Sequence, residues 1–349
     1  MKNWTQIKNT AGMFDLLKGI TMILVVVVHT LQEYSGFDFG QNVSVLGLFM
    51  VSLFVISGYG FRAKSTAKVV VQQARLILIP YCVTAICICI VHCICHYLLY
   101  YSRKNAVIQT LKVFAGLILG LSDTTHIMGV EIYSCGALWF LLALFWGWIM
   151  MNLLVKYVPE KFQIPVAVVV TCVGLQLSFI TCAPFGFFRG MFGLGFLYIG
   201  FYCKKHKLFT NQWKTRTKIM IAASVVITIL IIYSGKKFQW LLSLLVPLTI
   251  LYPPAIIKIF LVMNNLFKGY VSNKLRLLGR YSIYFLCVHS VEGKALPWYI
   301  LDEKINTYMA LGIITVVRLL MDCLLCALVV YVSPIINGKI EQYKLRRNK

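Results

Sequence analysis

Acidic residues are scarce, with Asp and Glu together numbering 11 in 349 residues, and all charged types make up only 13% of the chain. So little charge cannot cover a soluble protein of this length. Hydrophobic residues reach 60% and the mean hydropathy is +0.80, which would leave far too much apolar surface facing water. A soluble domain, a repeat at solenoid period and a low-complexity linker are also missing from the pattern. The twelve cysteines lie almost wholly inside apolar runs, where thiols act as small hydrophobes. They indicate neither a disulfide framework nor an oxidising compartment. A cleavable signal peptide is not expected, because the polar stretch Met1 to Thr10 precedes the first apolar run, which reads as a retained span. What remains is an all-α integral membrane protein, read as one transmembrane domain over residues 1–349.

Apolar stretches long enough to cross a core of about 30 Å, which takes roughly 20 helical residues, run near 13–34, 43–61, 76–99, 137–155, 162–180, 186–203, 218–234, 238–259, 277–293 and 308–333. This predicts a bundle of about ten transmembrane helices. A weaker run at 107–121, holding Lys112 and two glycines, would break the alternation of sides if it crossed, and reads as re-entrant or interfacial. The net charge of +23 would suggest nucleic acid in a soluble chain, but here the positive residues fall in short runs between apolar stretches. Topology accounts for them. With the amino terminus inside, twenty-five of the 34 Lys and Arg residues fall on inner segments, eight on outer ones, and Arg318 lies within the last span. Both termini are therefore expected in the cytoplasm, with the protein multi-pass in the plasma membrane. The acidic residues Glu33, Asp38, Asp123, Glu131, Glu292, Asp302 and Glu303 lean to the outer side.

Ionisable groups inside a bilayer are costly and usually face the bundle interior, so they are the natural functional candidates. The first span has four. At about 100° and 1.5 Å per helical residue, Asp15, Lys18, His29 and Glu33 fall at roughly 0°, 300°, 320° and 0°, inside an arc of about 60°. They form one polar stripe. It climbs from Asp15 at the expected cytoplasmic interface to His29 about 21 Å higher, on a face otherwise lined by Val and Ile. The competing reading makes Asp15 and Lys18 interfacial anchors and His29 a hydrogen-bonded packing residue. A chance stripe of four polar groups on so apolar a helix is the weaker explanation.

The stripe lies in the string FDLLKGITMILVVVVH, and four more strings follow: LFVISGYGFR at 53–62, RLILIPY at 75–81, ALWFLLALF at 137–145 and GRYSIYFLCVH at 279–289. In order and spacing the chain resembles the membrane-bound acyltransferase 3 family. The opening D-x-x-K-G, the SGY, the RxxxxPY and the LWFLxALF are most similar to its sugar O-acetylase branch, and the resemblance covers nearly the whole chain. It implies a ten-span bundle that takes an acyl group, usually acetyl, from cytoplasmic coenzyme A and places it on a hydroxyl of an envelope carbohydrate or lipid-linked sugar outside. The partners so implied are acyl coenzyme A as donor substrate, the sugar acceptor and the bilayer, with no nucleic acid and no tightly bound cofactor. Coenzyme A is a polyanion, and Arg62, Lys64, Lys68 and Arg75 are expected in the loop that flanks the base of the first span, where they suit phosphates. Plain topology explains the same charges. Arg75 stands above the others because it belongs to a motif string.

Two departures bear on the acceptor. The branch carries a F-H-M-P string before its SGY, where this chain has Leu48, Phe49, Met50 and Val51, so acceptor choice is not carried over. Other branches carry a glutamate after the tryptophan of the fourth span, whereas Trp139 is followed by Phe140, Leu141, Leu142 and Ala143. The base must then come from elsewhere. The resemblance points to His29, since a neutral imidazole in a low-dielectric cavity can take the proton of an attacking hydroxyl. A covalent acyl-histidine stays open beside direct transfer. Lys18 and Asp15, one turn apart, are suited to pair and present a donor to the coenzyme or thioester carbonyl. Glu33, His289, Glu292, Arg189 and Trp139 fall on the expected acceptor side. His289 has an acceptor or shuttle role to set against packing, and Arg189 a sugar or phosphate-carrier contact against a snorkelling anchor.

Cys89, His92, Cys93 and His96 are spaced i, i+3, i+4, i+7 on the third span and are zinc-type ligands. Four ligands from one straight helix cannot surround a tetrahedral ion, so packing is the default and no metal is expected. Arg318 and Asp322, at i, i+4 in the last span, are expected to pair with each other. The leading reading is an O-acyltransferase. The same fold also resembles the membrane part of vancomycin-resistance serine racemases, which would make the chain a transporter without acyl chemistry. A polysaccharide exporter or accessory subunit is a third reading.

Overall fold

The computed structural model describes residues 12–34, 43–180, 184–234 and 249–347. The stretch Met1 to Thr10, Asp38, Lys236, Lys237 and residues 238–248 of the expected eighth span lie outside the described residues. Within them there are twelve helices and short 3-10 turns. We number them α1 (Asp15–Glu33), α2 (Val43–Tyr59), α3 (Thr66–Tyr100), α4 (Arg103–Leu119), α5 (Trp139–Tyr157), α6 (Glu160–Ile180), α7 (Phe187–Lys205), α8 (Thr215–Ser234), α9 (Pro253–Leu266), α10 (Tyr270–Arg280), α11 (Ser282–Ala295) and α12 (Tyr308–Arg347). The sheet content is one antiparallel hairpin, β1 (Thr125–Ile127) with β2 (Val130–Ile132), in which His126 faces Glu131. The chain is an all-α membrane protein. Among the described residues, five helical stretches are long and apolar enough to cross a bilayer: Asp15–Glu33, Thr66–Tyr100, Gly136–Tyr157, Glu160–Ser178 and Tyr308–Val332.

α3 shows how the sequence sets both its length and its facing. Leu76, Ile79, Val83, Ile86, Ile90 and Ile94 recur at three- and four-residue steps and are all more than half exposed, the stripe of a helix that turns one side to lipid. Pro80 lacks the N–H that would bond back one turn. A π turn at Ala74–Leu78 widens the helix just before it and absorbs the mismatch. On the inner side, the ALWFLLALF string supplies the packed centre. Leu138, Leu141, Leu142 and Ala143 are fully buried, Phe140 meets Phe54 of α2 at 4.8 Å, and Trp148 donates to Ser57 Oγ at 2.7 Å. α7 packs against α2, α5 and α6. At Gly200 a Cβ would come within 1.9 Å of the Val55 carbonyl oxygen, so only glycine lets those two backbones approach this closely.

One stretch, at 107–121, takes a definite form that the sequence left open, and another, at 277–293, differs from expectation. The run at 107–121 is a continuous helix, α4, capped by Ser102, which accepts from Asn105 N at 3.3 Å, and ending at Gly120 in the left-handed region (φ 67°). It runs back along α3, with Tyr81 donating to the Leu117 carbonyl and His92 Nδ1 lying 3.0 Å from Thr110 Oγ1. The span expected at 277–293 is interrupted at Tyr281 (φ −101°, ψ 19°), which separates α10 from α11. That break lets α10 lie on the first half of α1, where a Cβ at Gly19 would stand 2.0 Å from the Leu275 carbonyl oxygen and one at Gly279 would stand 1.8 Å from that of Asp15. The two strings DLLKG and GRYS therefore meet backbone to backbone.

Candidate active site

α1 runs between two polar sites. At its first turn, Lys18 Nζ lies 2.6 Å from Asp15 Oδ1, so the expected pairing forms. Arg280, at the end of α10, joins from the other side with Nε 3.6 Å from Asp15 Oδ2. Sequence reasoning counted Arg280 only as topological charge. Its signal was its place beside Gly279 in a motif string, and its role becomes visible only when the two glycines bring α10 against α1.

At the far end of α1, His29 faces His289 of α11, their ring centroids 5.6 Å apart and the planes inclined by 37°. His289 Nδ1 lies 2.9 Å from Asp322 Oδ2 of α12 and 3.3 Å from Glu292 Oε2. Arg318, one turn before Asp322, donates from Nε to Glu292 Oε1 at 2.7 Å and from Nη2 to Glu292 Oε2 at 3.2 Å, and its Nη1 donates to Glu33. The Arg318 guanidinium also lies over the Trp298 ring at 5.1 Å. His289, Glu292, Arg318 and Asp322 are each at most 3% exposed. Unpaired, such groups would be prohibitive inside a membrane; linked, each carboxylate has a cationic or N–H partner. Arg318 and Asp322 do not pair with each other as the i, i+4 spacing suggested. Each reaches a different side chain of α11, because a carboxylate and an imidazole projecting from the facing helix give better geometry than two neighbours on one helix. Asp322 Oδ1 stays buried without a hydrogen-bond partner among the described residues.

This network forms one wall of a cavity of about 450 Å³ lined by His29, Glu33, Ser134, His289, Lys294 and Arg318 among others. Lys294 Nζ donates to Ser134 Oγ at 2.7 Å. Asp123 also lines the cavity and lies 3.5 Å from Arg189, whose guanidinium stacks over Trp139 at 5.0 Å. The five residues expected on the acceptor side, Glu33, His289, Glu292, Arg189 and Trp139, thus gather in or beside one cavity, and His29 opens into it. Lys18 and Asp15 do not line it; they occupy the opposite end of α1. Cys135, just outside the cavity, is pushed up to about 12 by burial, which keeps its thiol protonated and removes it as a nucleophile.

Of the donor-side candidates, Arg62 and Lys64 lie in the loop before α3, and Lys68 and Arg75 on α3 itself. Arg75 and Lys68 share a shallow groove on the outer face of α3 with Val71 and Gln72. Lys64 Nζ donates to Gln72 Oε1 at 2.6 Å, its backbone N donates to Asn152 Oδ1 at 3.1 Å, and Arg62 is exposed. The segment starts near α1, where Phe14 packs on Tyr59 at 5.3 Å, but the first turns of α3 pack on α5. The basic helix that flanks the base of α1 is α10, held there by the Gly19 and Gly279 contacts.

The Cys/His stripe on α3 follows its packing reading at His92, which pairs with Thr110 across α4. A different trio, His289, Glu292 and Asp322, brings three ligand-type atoms within 4.8 Å of one another. There the Arg318 guanidinium already engages both oxygens of Glu292 and supplies the positive charge.

A half-buried histidine facing a buried one that is itself bonded to two carboxylates, in a polar cavity of a helical bundle, is an arrangement suited to proton transfer. The profile of the acyltransferase-domain family matches residues 13–338, nearly the whole chain. The chain belongs to the acyltransferase 3 family. No curated protein and no solved structure matches it. Membership makes it a membrane acyltransferase, which uses an acyl donor and an acceptor.

Proposed function

We propose that this acyltransferase moves an acyl group, most simply acetyl, from cytoplasmic coenzyme A to a hydroxyl of an envelope carbohydrate or lipid-linked sugar on the outer side, as in the sugar O-acetylase branch it resembles. The protein is then one multi-pass domain of the plasma membrane with both termini in the cytoplasm, acyl coenzyme A its donor substrate and no cofactor tightly bound. The observation that carries the reading is the His29 and His289 pair, backed by Asp322 and Glu292, at the wall of the His29 cavity.

His29 acts as general base. The acceptor oxygen attacks the thioester carbonyl carbon while its proton passes to His29, and the tetrahedral intermediate then collapses with cleavage of the C–S bond. The leaving thiolate takes the proton back from the imidazolium, which returns His29 to its starting state. His289, tied to Asp322 and Glu292, holds its ring against that of His29. Lys18, paired with Asp15 and next to Arg280, offers cationic donors to the coenzyme phosphates at the cytoplasmic end, with Arg75, Arg62 and Lys64 as further basic groups along its approach. About 16 Å of helix separates Lys18 from His29, a distance that a long flexible donor arm has to bridge.

The test is purified protein in lipid nanodiscs given acetyl coenzyme A and a sugar acceptor, with free coenzyme A and acetylated sugar measured together. Equal, protein-dependent formation of both supports the reading. Acetyl coenzyme A left intact with every acceptor, alongside substrate translocation in sealed vesicles, would replace it with the transporter reading.

A further inference from the structure

A second cavity, of about 490 Å³, adjoins the His29 cavity and shares Glu33, Gly293 and Lys294 with it. It lies between α3, α4 and the turn after α11, and nothing in the chemistry proposed above uses it. Its lining is neutral and rich in rings. His96 stacks on Tyr100 at 4.6 Å, the hydroxyls of Tyr100 and Tyr299 lie 3.1 Å apart, Tyr133 Oη donates to Gln109 Oε1 at 2.9 Å, and Gln109 Nε2 donates to Asn105 Oδ1 at 3.4 Å. Burial, and then the Tyr100 hydroxyl, push the Tyr299 phenol up to about 12, so it stays a neutral donor and acceptor. His96 Nδ1 is buried with no partner among the described residues, a polar atom of the lining that a ligand can satisfy.

The lining discriminates between ligand classes. Among the described residues the charged side chains of the lining are Glu33 and Lys294, of opposite sign, so a polyphosphate finds no net positive field there. The buried His96 Nδ1 would stay unpaired against a hydrocarbon chain. Ring faces combined with neutral donors and acceptors match a sugar ring, which offers an apolar C–H face and a rim of hydroxyls.

We propose that this chamber is a subsite for a second sugar unit, so that the preferred acceptor is an oligosaccharide or longer glycan, one unit presenting its hydroxyl to His29 and the next lying among His96, Tyr100 and Tyr299. This rests on the reading of the His29 cavity as the place of transfer. It also gives the α3 histidines a use that neither metal binding nor packing alone supplies.

The experiment uses the full chain in nanodiscs with acetyl coenzyme A and two neutral acceptor series: glucose, cellobiose and cellotetraose, and the matching β-1,4-linked N-acetylglucosamine series. In at least one series, kcat/KM should rise about tenfold from the monosaccharide to the tetramer, the scale of one good ring contact. Tyr299→Ala, at a half-exposed position that tolerates truncation, and His96→Ala should remove most of that rise. Both should leave the KM for acetyl coenzyme A and the turnover of the monosaccharide near wild type. No gain with chain length in either series, or variants that slow the monosaccharide as much as the tetramer, would overturn the subsite. Should no acceptor be acetylated, the proposed reaction fails, and tetramer binding measured by calorimetry without donor still decides the subsite: weakening by either variant upholds it, and absent or unaltered binding refutes it.

Discussion

At one end of α1, Asp15 holds Lys18 at 2.6 Å and Arg280 at 3.6 Å, with the Lys18 side chain a quarter exposed and that of Arg280 about two thirds exposed. At the other end Glu33 meets Arg318, which is buried with Glu292, His289 and Asp322 in a network drawn from three helices. Both ends belong to the same polar stripe, and each combines acidic and basic side chains. They differ in what water can do for them. At the first end the two cations reach water although Asp15 itself is buried, so one can be lost while the other still faces the carboxylate; at the second end Arg318, Glu292, His289 and Asp322 are all buried and depend on each other for every favourable interaction. The comparison shows that a polar stripe on a membrane helix marks where function can lie, while burial and cross-helix partners decide which end is rigidly built.

The sharpest break of that comparison is His29→Ala. Loss of a general base typically costs about 10²–10⁴ in rate, so acyl transfer should nearly vanish while expression, thermal stability and donor binding stay close to wild type. Turnover near wild type would move the base to another residue.

Next in size is Arg318→Met, which strands Glu33 and Glu292 without their cation in a buried site. A stability loss of about 3–5 kcal/mol is expected for removing one partner of a buried pair, read as a lower Tm in detergent or nanodiscs. A Tm within error of wild type would mean that the network is more hydrated than its burial indicates.

Lys18→Met should remove most activity without a matching fall in Tm, because Arg280 still faces the Asp15 carboxylate. Lys18→Arg should retain substantial activity, since the guanidinium keeps charge and donors. Met and Arg variants with equal turnover would take Lys18 out of the mechanism. The smallest effect on stability belongs to Arg280→Met, expected at no more than about 1 kcal/mol because its side chain is mostly exposed. A loss as large as that of Arg318→Met would erase the contrast between the two ends.

Several of these features were legible in the sequence. The apolar runs of α1, α3, α5, α6 and α12 follow from length and composition, since a helix that must satisfy its backbone in lipid can take few other forms. The Asp15 and Lys18 pair follows from a spacing of three residues. Lys112 and two glycines dilute the apolar face of α4 and leave its path against α3 unread, and the break at Tyr281 was missed although Gly279 and Arg280 stand just before it in the run 277–293. Arg318 and Asp322 were visible as intramembrane charges, yet their partners were not. Lys294, a lone base beyond the ninth apolar run, carried no sequence signal for its bond to Ser134.

Periodicity within one segment reports which face of that segment is apolar, and so the sequence by itself determined that the chain is helical, that it lives in a membrane and that α1 carries the polar stripe. It does not report the rotation and register of one helix against another. Those are set by close packing at positions such as Gly19 against Leu275 and Gly279 against Asp15, and by which buried charge finds which partner. Only the tertiary structure could therefore bring His29 of α1, His289 of α11 and Asp322 of α12 to one cavity wall and leave Lys18 outside it.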